Sequence, residues 1–381
     1  MRKGWKETTL GEVAEVTMGQ SPPGSSYNEA GDGLAFMQGS AEFGAVNPTP
    51  VKWCTDPSRI AETGDILVSV RAPVGDTNVA DQRIAIGRGL AAVSAREDAA
   101  LTPFIWTVIQ LKVAELNSVS GSGMFASITG RNFRGLGILL PPLAEQKRIV
   151  DVIGAVDAYV ASLESYAHAA RTARAALLHE LLTTNTKGWK ETTLGEVADF
   201  INGYPFKPND LGDEGIPVIR IKQLLDVGEP VDRTNVLVPL RCQLRDGDLV
   251  FSWSGTLAIR SWNRGPAYLN QHLFRVVERE GVQRSWLALC IDNAIGELSE
   301  KSHGTTMKHI TKKTLLPHAV DLPPLAEQRR IVDVIGAVDG AIAGADRAAE
   351  DARNLRSGLL SDLLSGDHGI PEAYDELLES A

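Results

Sequence analysis

The sequence predicts an α+β protein of two α/β domains with mixed sheets. Two long helices forming an antiparallel coiled coil separate them, and the whole carries a pseudo-twofold internal duplication. Three observations predict it. Gly4–Ala14 and Gly188–Ala198 are the same eleven residues, GWKETTLGEVA, 184 positions apart. Leu140–Asp157 and Leu322–Asp339 read LPPLAEQ(K/R)RIVDVIGAVD and differ only at Lys147 against Arg329, at an offset of 182. Each of these second blocks runs into a heptad of apolar and small residues, while the segments between the blocks diverge almost completely.

In chain order, residues 1–142 form the first domain. Its variable middle, 15–139, has the size of an ordinary domain and holds short β-forming runs bounded by Gly, Pro and Asp: Ile66–Val70, Ile84–Ile86 and Leu90–Val93. A helix is predicted over Phe104–Leu116. Residues 143–187 form the first spacer helix. Pro141 and Pro142 bar helix upstream, and Glu145 sits in the first turn, where a carboxylate suits the helix dipole. From Ile149 a seam runs through Ile153, Val156, Val160, Leu163, Ala167, Ala170, Arg174, Leu177 and Leu181 in alternating steps of four and three.

Residues 188–324 repeat the domain around a variable middle at 199–321, with strands predicted at Ile216–Ile221, Leu249–Trp253 and Leu273–Val277 and a helix at Ser285–Leu298. Residues 325–365 repeat the spacer helix in the same phase: Ile331, Ile335, Val338, Ile342, Ala345, Ala349, Ala352, Arg356, Leu359 and Leu363. The one charged interruption is shared, Arg356 matching Arg174. Each helix should run about 38 residues, or roughly 57 Å at 1.5 Å per residue. Two Ala-rich helices separated by a whole domain most simply pack on each other, and antiparallel packing would place the domains at opposite ends of a rod. Residues 366–381 are an acidic tail.

Composition narrows the function. With 43% hydrophobic and 23% charged residues the chain is neither disordered nor fibrous. It contains no run of about 18 apolar residues and its start lacks the apolar stretch of a signal peptide, so neither a membrane span nor secretion is expected. Cys54, Cys242 and Cys290 are odd in number and far apart, which suits neither a disulfide framework nor a zinc site and points to a reducing cytoplasm. A net charge of −10 weighs at first against a nucleic-acid partner. Six of the acids, however, fall in the last twenty residues (Asp362, Asp367, Glu372, Asp375, Glu376, Glu379) with no Lys or Arg among them, leaving two near-neutral copies.

Catalytic signatures are missing. Asn47-Pro48-Thr49-Pro50 lacks the second adjacent proline and the aromatic of an amino-methyltransferase motif and reads as a loop. No Gly-Lys-Ser/Thr phosphate loop occurs. His303 and His309 lack acidic or cysteine companions at ligand spacing, so no metal site is expected. Asp65, Asp246 and Asp248 sit in Gly-Asp turns, where Asp commonly stabilises the turn. The chain reads as a recognition protein without catalytic residues.

Two variable domains, each followed by a PPLAEQ(K/R)RIV block and a long helix and each entered through GWKETTLGEVA, resemble the specificity (S) subunit of type I restriction-modification systems. The resemblance covers essentially the whole chain. Smaller strings agree: GD(I/L)(L/V) at Gly64 and Gly247, and NQHLFRV at Asn270–Val276. The first copy has RIAIGRGLAAV, Arg83–Val93, in the latter stretch, so no role carries over from Gln271 or His272. The resemblance implies two target-recognition domains, each reading one half of an asymmetric, interrupted site on double-stranded DNA. It implies helices that set the spacer and dock two modification (M) subunits, which carry S-adenosylmethionine and methylate adenine at N6. Restriction (R) subunits, two in the full assembly, add ATP and Mg chemistry. No cofactor is implied for this chain itself, and no membrane.

Base and phosphate contacts should come from Arg, Lys, Asn, Gln and His. In the first domain Arg131, Asn132 and Arg134 follow GSGMFASIT. Their counterparts by offset are Lys308, His309, Lys312 and Lys313, after HGTTM. Further candidates are Arg71 and Arg88 in the first domain and Arg220, Lys222, Arg260 and Arg264 in the second. Trp53, Trp253 and Trp262 read as core rather than as base-stacking residues. Two other functions compete: a decoy of this family that occupies M subunits without reading DNA, and a self-contained methylase or nuclease, which the missing motifs oppose.

Overall fold

In each copy the first near-identical block pairs with the last strand of the variable middle, which runs into the second block. In the computed structural model, which describes residues 4–119, 127–300, 309–371 and 373–375, strand Lys6–Thr9 runs antiparallel to Gly137–Leu140, from Lys6 opposite Leu140 to Thr9 opposite Gly137. Lys190–Thr193 and Ala319–Leu322 repeat the pairing in the same register. The strand leads into a one-turn helix, Leu10–Val13 or Leu194–Val197. There a Glu three residues on accepts from the preceding backbone N–H, Thr9 to Glu12 at 3.0 Å and Thr193 to Glu196 at 3.1 Å. Each variable middle is therefore closed at its two ends by a strand pair, one strand from the constant entry block and the other leading into the second constant block.

The chain divides into two compact units, residues 1–163 with 347–381, and residues 164–346. Each has a four-stranded antiparallel sheet. In the first unit the strand order is Ala14–Met18, Leu90–Ala95, Ile66–Ser69, Thr77–Val79; in the second it is Ala198–Asn202, Leu273–Glu278, Leu249–Ser252, Ala258–Ser261. Both faces of these sheets are covered, which is why their central strands read as unbroken apolar runs. Ile66, Val68, Ala91 and Val93 face the helices, while Leu67, Leu90 and Ala92 face a second, smaller sheet. In the second unit Leu249, Phe251, Phe274 and Val276 take the first role and Val250 and Leu273 the second. The smaller sheets contain the parallel pairs that make the architecture mixed: Leu34–Met37 beside Ile84–Ile86, and Ile216–Ile219 beside Ala267–Leu269.

Two local expectations change. The helix expected over Phe104–Leu116 is Thr102–Leu111 followed by Val113–Val119, because the chain leaves helical geometry at Lys112 (φ −84°, ψ 4°). The run expected as strand to Ile221 ends at Ile219, and Ile221–Leu225 is helical. The second unit's long helix is continuous, Arg284–Glu300.

The spacer helices span Leu143–Thr183, 41 residues, and Leu325–Leu364, 40 residues. In the second unit the two run antiparallel, since Arg171 pairs with Asp346 and, further along, Arg174 with Asp339. In the first unit Asp157 meets Arg356, while Ile149 and Ile153 share a core with Leu360, Leu363 and Leu364. At the ends nearest the proline pairs the seam residues Ile149, Ile153, Ile331 and Ile335 are at most 3% exposed, and Ile342 is buried. Val156, Val160, Leu163 and Val338 are half-buried along the helix-to-helix stretch.

At the far ends the expected seam needs correction. Leu177, Leu181 and Leu359 are only half-buried, whereas Leu178, Leu182, Leu360 and Leu364 are buried, with Leu363 beside them. The helices there pack on a domain core as well as on each other, so the apolar stripe widens and drifts from the strict 3.5-residue period. The arginines in the seam are accounted for. Arg174 bonds Asp339 across the helix pair and Asp292 at 3.1 Å on the domain helix; Arg356 bonds Asp157 and Gln110 at 2.8 Å in the same two roles. The Asp339 carboxylate holds the Arg174 guanidinium above its ordinary pKa.

The motif glutamine has a structural role the sequence did not reveal. Gln146, fully buried, accepts from the Leu101 N–H at 2.9 Å and donates to the carbonyls of Ala99 at 3.1 Å and Pro141 at 2.9 Å. Gln328 does the same with Gln283, Gly281 and Pro323 at 2.7, 2.9 and 2.9 Å. One amide thus ties the start of each spacer helix to the start of the domain helix.

Candidate nucleic-acid interface

In both units the ends of three strands and one loop converge on a single edge of the four-stranded sheet. In the first, Met18 lies opposite Ala91 and Ser69 opposite Leu90, so the segments 19–21, 70–71 and 87–89 emerge side by side. The Val70 N–H donates to the Gly89 carbonyl at 2.9 Å, setting Arg71 next to Arg88. Arg71 also bridges Ser127, and the Ile128 N–H donates to the Val70 carbonyl. That places the short helix Gly130–Arg134 on this edge, capped by Thr129, whose hydroxyl accepts from the Asn132 N–H at 3.2 Å.

Arg71, Arg88, Arg131 and Asn132 are exposed here. Arg134 is partly committed to the fold: its guanidinium donates to the Val16 carbonyl at 2.6 Å and reaches the Gly130 carbonyl at 3.3 Å.

The second unit repeats the backbone with other side chains. Asn202 lies opposite Phe274 and Ser252 opposite Leu273; Ser254 bridges His309, and the Ile310 N–H donates to the Trp253 carbonyl. Ser254 therefore stands where the first unit has Arg71, Gln271 where it has Arg88, and Lys313 where it has Arg131. Arg220 and Lys222, at the start of the helix Ile221–Leu225, join the same edge, since the Ile219 carbonyl accepts from the Asn270 N–H. Arg220 is paired with Asp232 at 3.0 Å, while Lys222 and Lys313 are exposed. Lys312 is half-buried, with its ammonium 5.2 Å from the Phe274 ring centre. His309 is half-buried beside Trp253, ring centres 6.0 Å apart. Lys308 lies outside the described residues, as do the small-residue turns at 121–123 and 303–306.

Arg260 and Arg264 do not join this cluster. Arg260 lies on the outer strand Ala258–Ser261 and donates to the Ile259 carbonyl at 2.8 Å. Arg264 stacks over Trp262, 4.2 Å from the ring centre, and bonds the Gln223 carbonyl. Trp262 is core at 3% exposure. Trp253 is half-buried, stacked on Phe274 and flanked by His272 and His309, so it belongs to the edge as much as to the core.

Sequence reasoning left Gln271, His272 and Ser254 without a role. The signal that finds them is the strand register, which shows that NQHL and GRGL occupy one position in the two units. Two of the three Gly-Asp aspartates behave as read: Asp65 and Asp248 accept from the backbone N–H three residues earlier, both at 2.8 Å, and burial raises the Asp65 pKa against that bond; Asp246 instead accepts from the distant Gly265 N–H at 2.7 Å.

A family model described as the type I restriction modification DNA specificity domain matches twice, over residues 2–167 and 186–347. A putative type I restriction enzyme MjaX specificity subunit of Methanocaldococcus jannaschii is 37% identical over 169 residues, 41% of this chain and 40% of that protein. The type I restriction enzyme EcoBI specificity subunit of Escherichia coli is 24% identical over 201 residues, 49% and 42%. Each of these matches spans less than half of the relative's length. In a structure describing complex assembly and conformational transition of the type I R-M system, one chain matches with a TM-score of 0.66 at 21% identity, over 96% of this chain and 99% of that one. The S subunit from M. genitalium matches with a TM-score of 0.55 at 15% identity, over 94% and 96%. At these identities the structural likeness establishes the fold.

Proposed function

The chain belongs to the type I restriction-modification DNA specificity domain family, and on that premise we propose that it is the DNA sequence-specificity subunit of a type I restriction-modification complex. One observation carries the reading: two units share a backbone edge, fixed by the same strand register, and present different exposed polar side chains on it. A common scaffold with different readers suits an asymmetric, bipartite site on double-stranded DNA. The constant blocks and spacer helices suit docking of two identical M subunits. On the first unit's helix pair a groove lined by Val156, Tyr159, Ala352 and Leu355 leaves Tyr159 and Leu355 more than half exposed, apolar surface available to such a partner. The chain supplies recognition and no chemistry of its own. S-adenosylmethionine belongs to the M subunits, and ATP with Mg to R subunits. No helix among the described residues is long and apolar enough to cross a membrane, and the work of such a complex on genomic DNA is cytoplasmic.

Exchanging residues 15–139 for the variable middle of another specificity subunit should change one half of the methylated motif and leave the other half and the spacer intact. Mapping adenine methylation in a genome expressing the chimaera with its M subunit reads this directly, and alteration of both halves would refute the modular reading. Arg131→Ala and Lys313→Ala, at matching exposed positions, should each weaken binding of the complex to all DNA sequences alike. Each should also lower the slope of log K against log salt by about one. An unchanged slope would remove these residues from the phosphate contacts.

A further inference from the structure

We infer that Arg88 and Gln271, at one structurally equivalent position in the two units, are direct base readers, Arg88 selecting a guanine in one half-site and Gln271 an adenine in the other. The inference rests on the proposed function and adds to it which residues discriminate and between which bases. Each residue is exposed within a stretch that is otherwise largely buried, Ile84–Val93 and Ala267–Phe274, so the fold presents it outward.

The presentation is tightly built. A side chain at Gly87 or Gly89 would run into Gln38, and one at Gly19 into the Gly87 carbonyl; in the second unit a side chain at Gly203 would run into the Asn270 carbonyl. In each unit the reader's turn is packed so closely against a neighbouring segment that only glycine fits there.

The side chains are also held in a way that leaves a two-pronged face open. Arg88 donates its Nε–H to the Ser21 hydroxyl at 3.0 Å, and Ser21 in turn donates to the Gln38 Oε1 at 3.2 Å. The two terminal guanidinium nitrogens of Arg88 have no partner among the described residues. Such a fork, aligned by its Nε, matches the O6 and N7 acceptors of guanine in the major groove.

Gln271 is held differently to the same end. Its backbone carbonyl accepts from the Trp253 indole N–H at 3.3 Å, and its amide nitrogen approaches the His272 Nε2 at 3.5 Å, while the His272 Nδ1 lies 3.3 Å from the Ser254 hydroxyl. The tautomer that satisfies both contacts carries its proton on Nδ1. One amide hydrogen and the Oε1 of Gln271 stay open, the pair that binds adenine N7 and N6 together.

The test uses the full chain in complex with its M subunit. Genome-wide adenine methylation is mapped for the unaltered chain, Arg88→Gln and Gln271→Arg, and binding of each to the mapped site and to non-specific DNA is compared. Arg88→Gln should lose discrimination for one G·C pair in a single half-site by about tenfold to a hundredfold, the worth of a bidentate base contact. Gln271→Arg should alter one A·T pair in the other half-site alone. If both variants methylate the original motif, the residues do not read bases. If Arg88→Gln weakens cognate and non-specific binding equally, Arg88 is a phosphate contact and the inference falls. A different failure, no bipartite motif with the unaltered chain, would overturn the proposed function and this inference with it.

Discussion

Gln146→Leu is expected to lower the stability of the first unit by about 3–5 kcal/mol, measured as a shifted urea unfolding midpoint. Leucine fills a similar volume, so the loss comes from polar groups rather than from a cavity. The substitution strands the Leu101 N–H and the carbonyls of Ala99 and Pro141, and a buried group left without its partner costs about 1–3 kcal/mol. Gln328→Leu should do the same to the second unit, through Gln283, Gly281 and Pro323. A loss below about 1 kcal/mol would mean that water replaces the amide. Because the amide joins the spacer helix to the domain helix, the variants should also speed hydrogen exchange at the start of Leu143–Thr183 or Leu325–Leu364 before global unfolding.

Trp286→Ala should cost about 3–5 kcal/mol, the usual loss for removing a large aromatic from a core, while Trp286→Phe should cost less than about 1.5 kcal/mol. Trp286 is completely buried, and its indole N–H has no hydrogen-bond partner among the described residues. Phenylalanine keeps most of the packing and removes that orphan donor, whose burial costs free energy. The first unit already makes this choice: the equivalent residue, 182 positions earlier, is Phe104, also fully buried. Thermal or urea unfolding of both variants checks the pair. If phenylalanine proved as damaging as alanine, the indole nitrogen would have a partner in solution.

What was legible in the sequence was the information repeated in it. Two near-identical blocks at a fixed offset expose the duplication, and proline pairs followed by a sustained heptad expose the helices to within a few residues of their length. Both are local signals, one of identity and one of period. The drift from Leu177 and Leu181 to Leu178 and Leu182 was not legible. It arises where a helix meets a globular core in addition to its partner, and the heptad template counts only the partner. Arg174 and Arg356 look like defects of the seam until Asp292 and Gln110 are placed beside them by the domain helices.

The candidate interface divides in the same way. Arg71, Arg88 and Arg131 can be picked out as exposed basic residues near turns, but nothing in their spacing shows that they share an edge. That follows from antiparallel registers such as Ser69 opposite Leu90, formed across more than twenty residues of chain. The same registers align Arg88 with Gln271 although the flanking sequences share almost nothing.

By itself, then, the sequence determined the duplication, the two long helices, the divergence of the middles and the absence of recognisable catalytic motifs, because identity and periodicity are written along the chain. Tertiary structure alone decided the strand order, the strand pair that closes each variable middle, the buried Gln146 and Gln328 clamps and the convergence of polar residues on one edge of each unit. These are contacts between residues far apart in sequence, selected by burial and hydrogen-bond satisfaction in the folded state, and neither leaves a period to read.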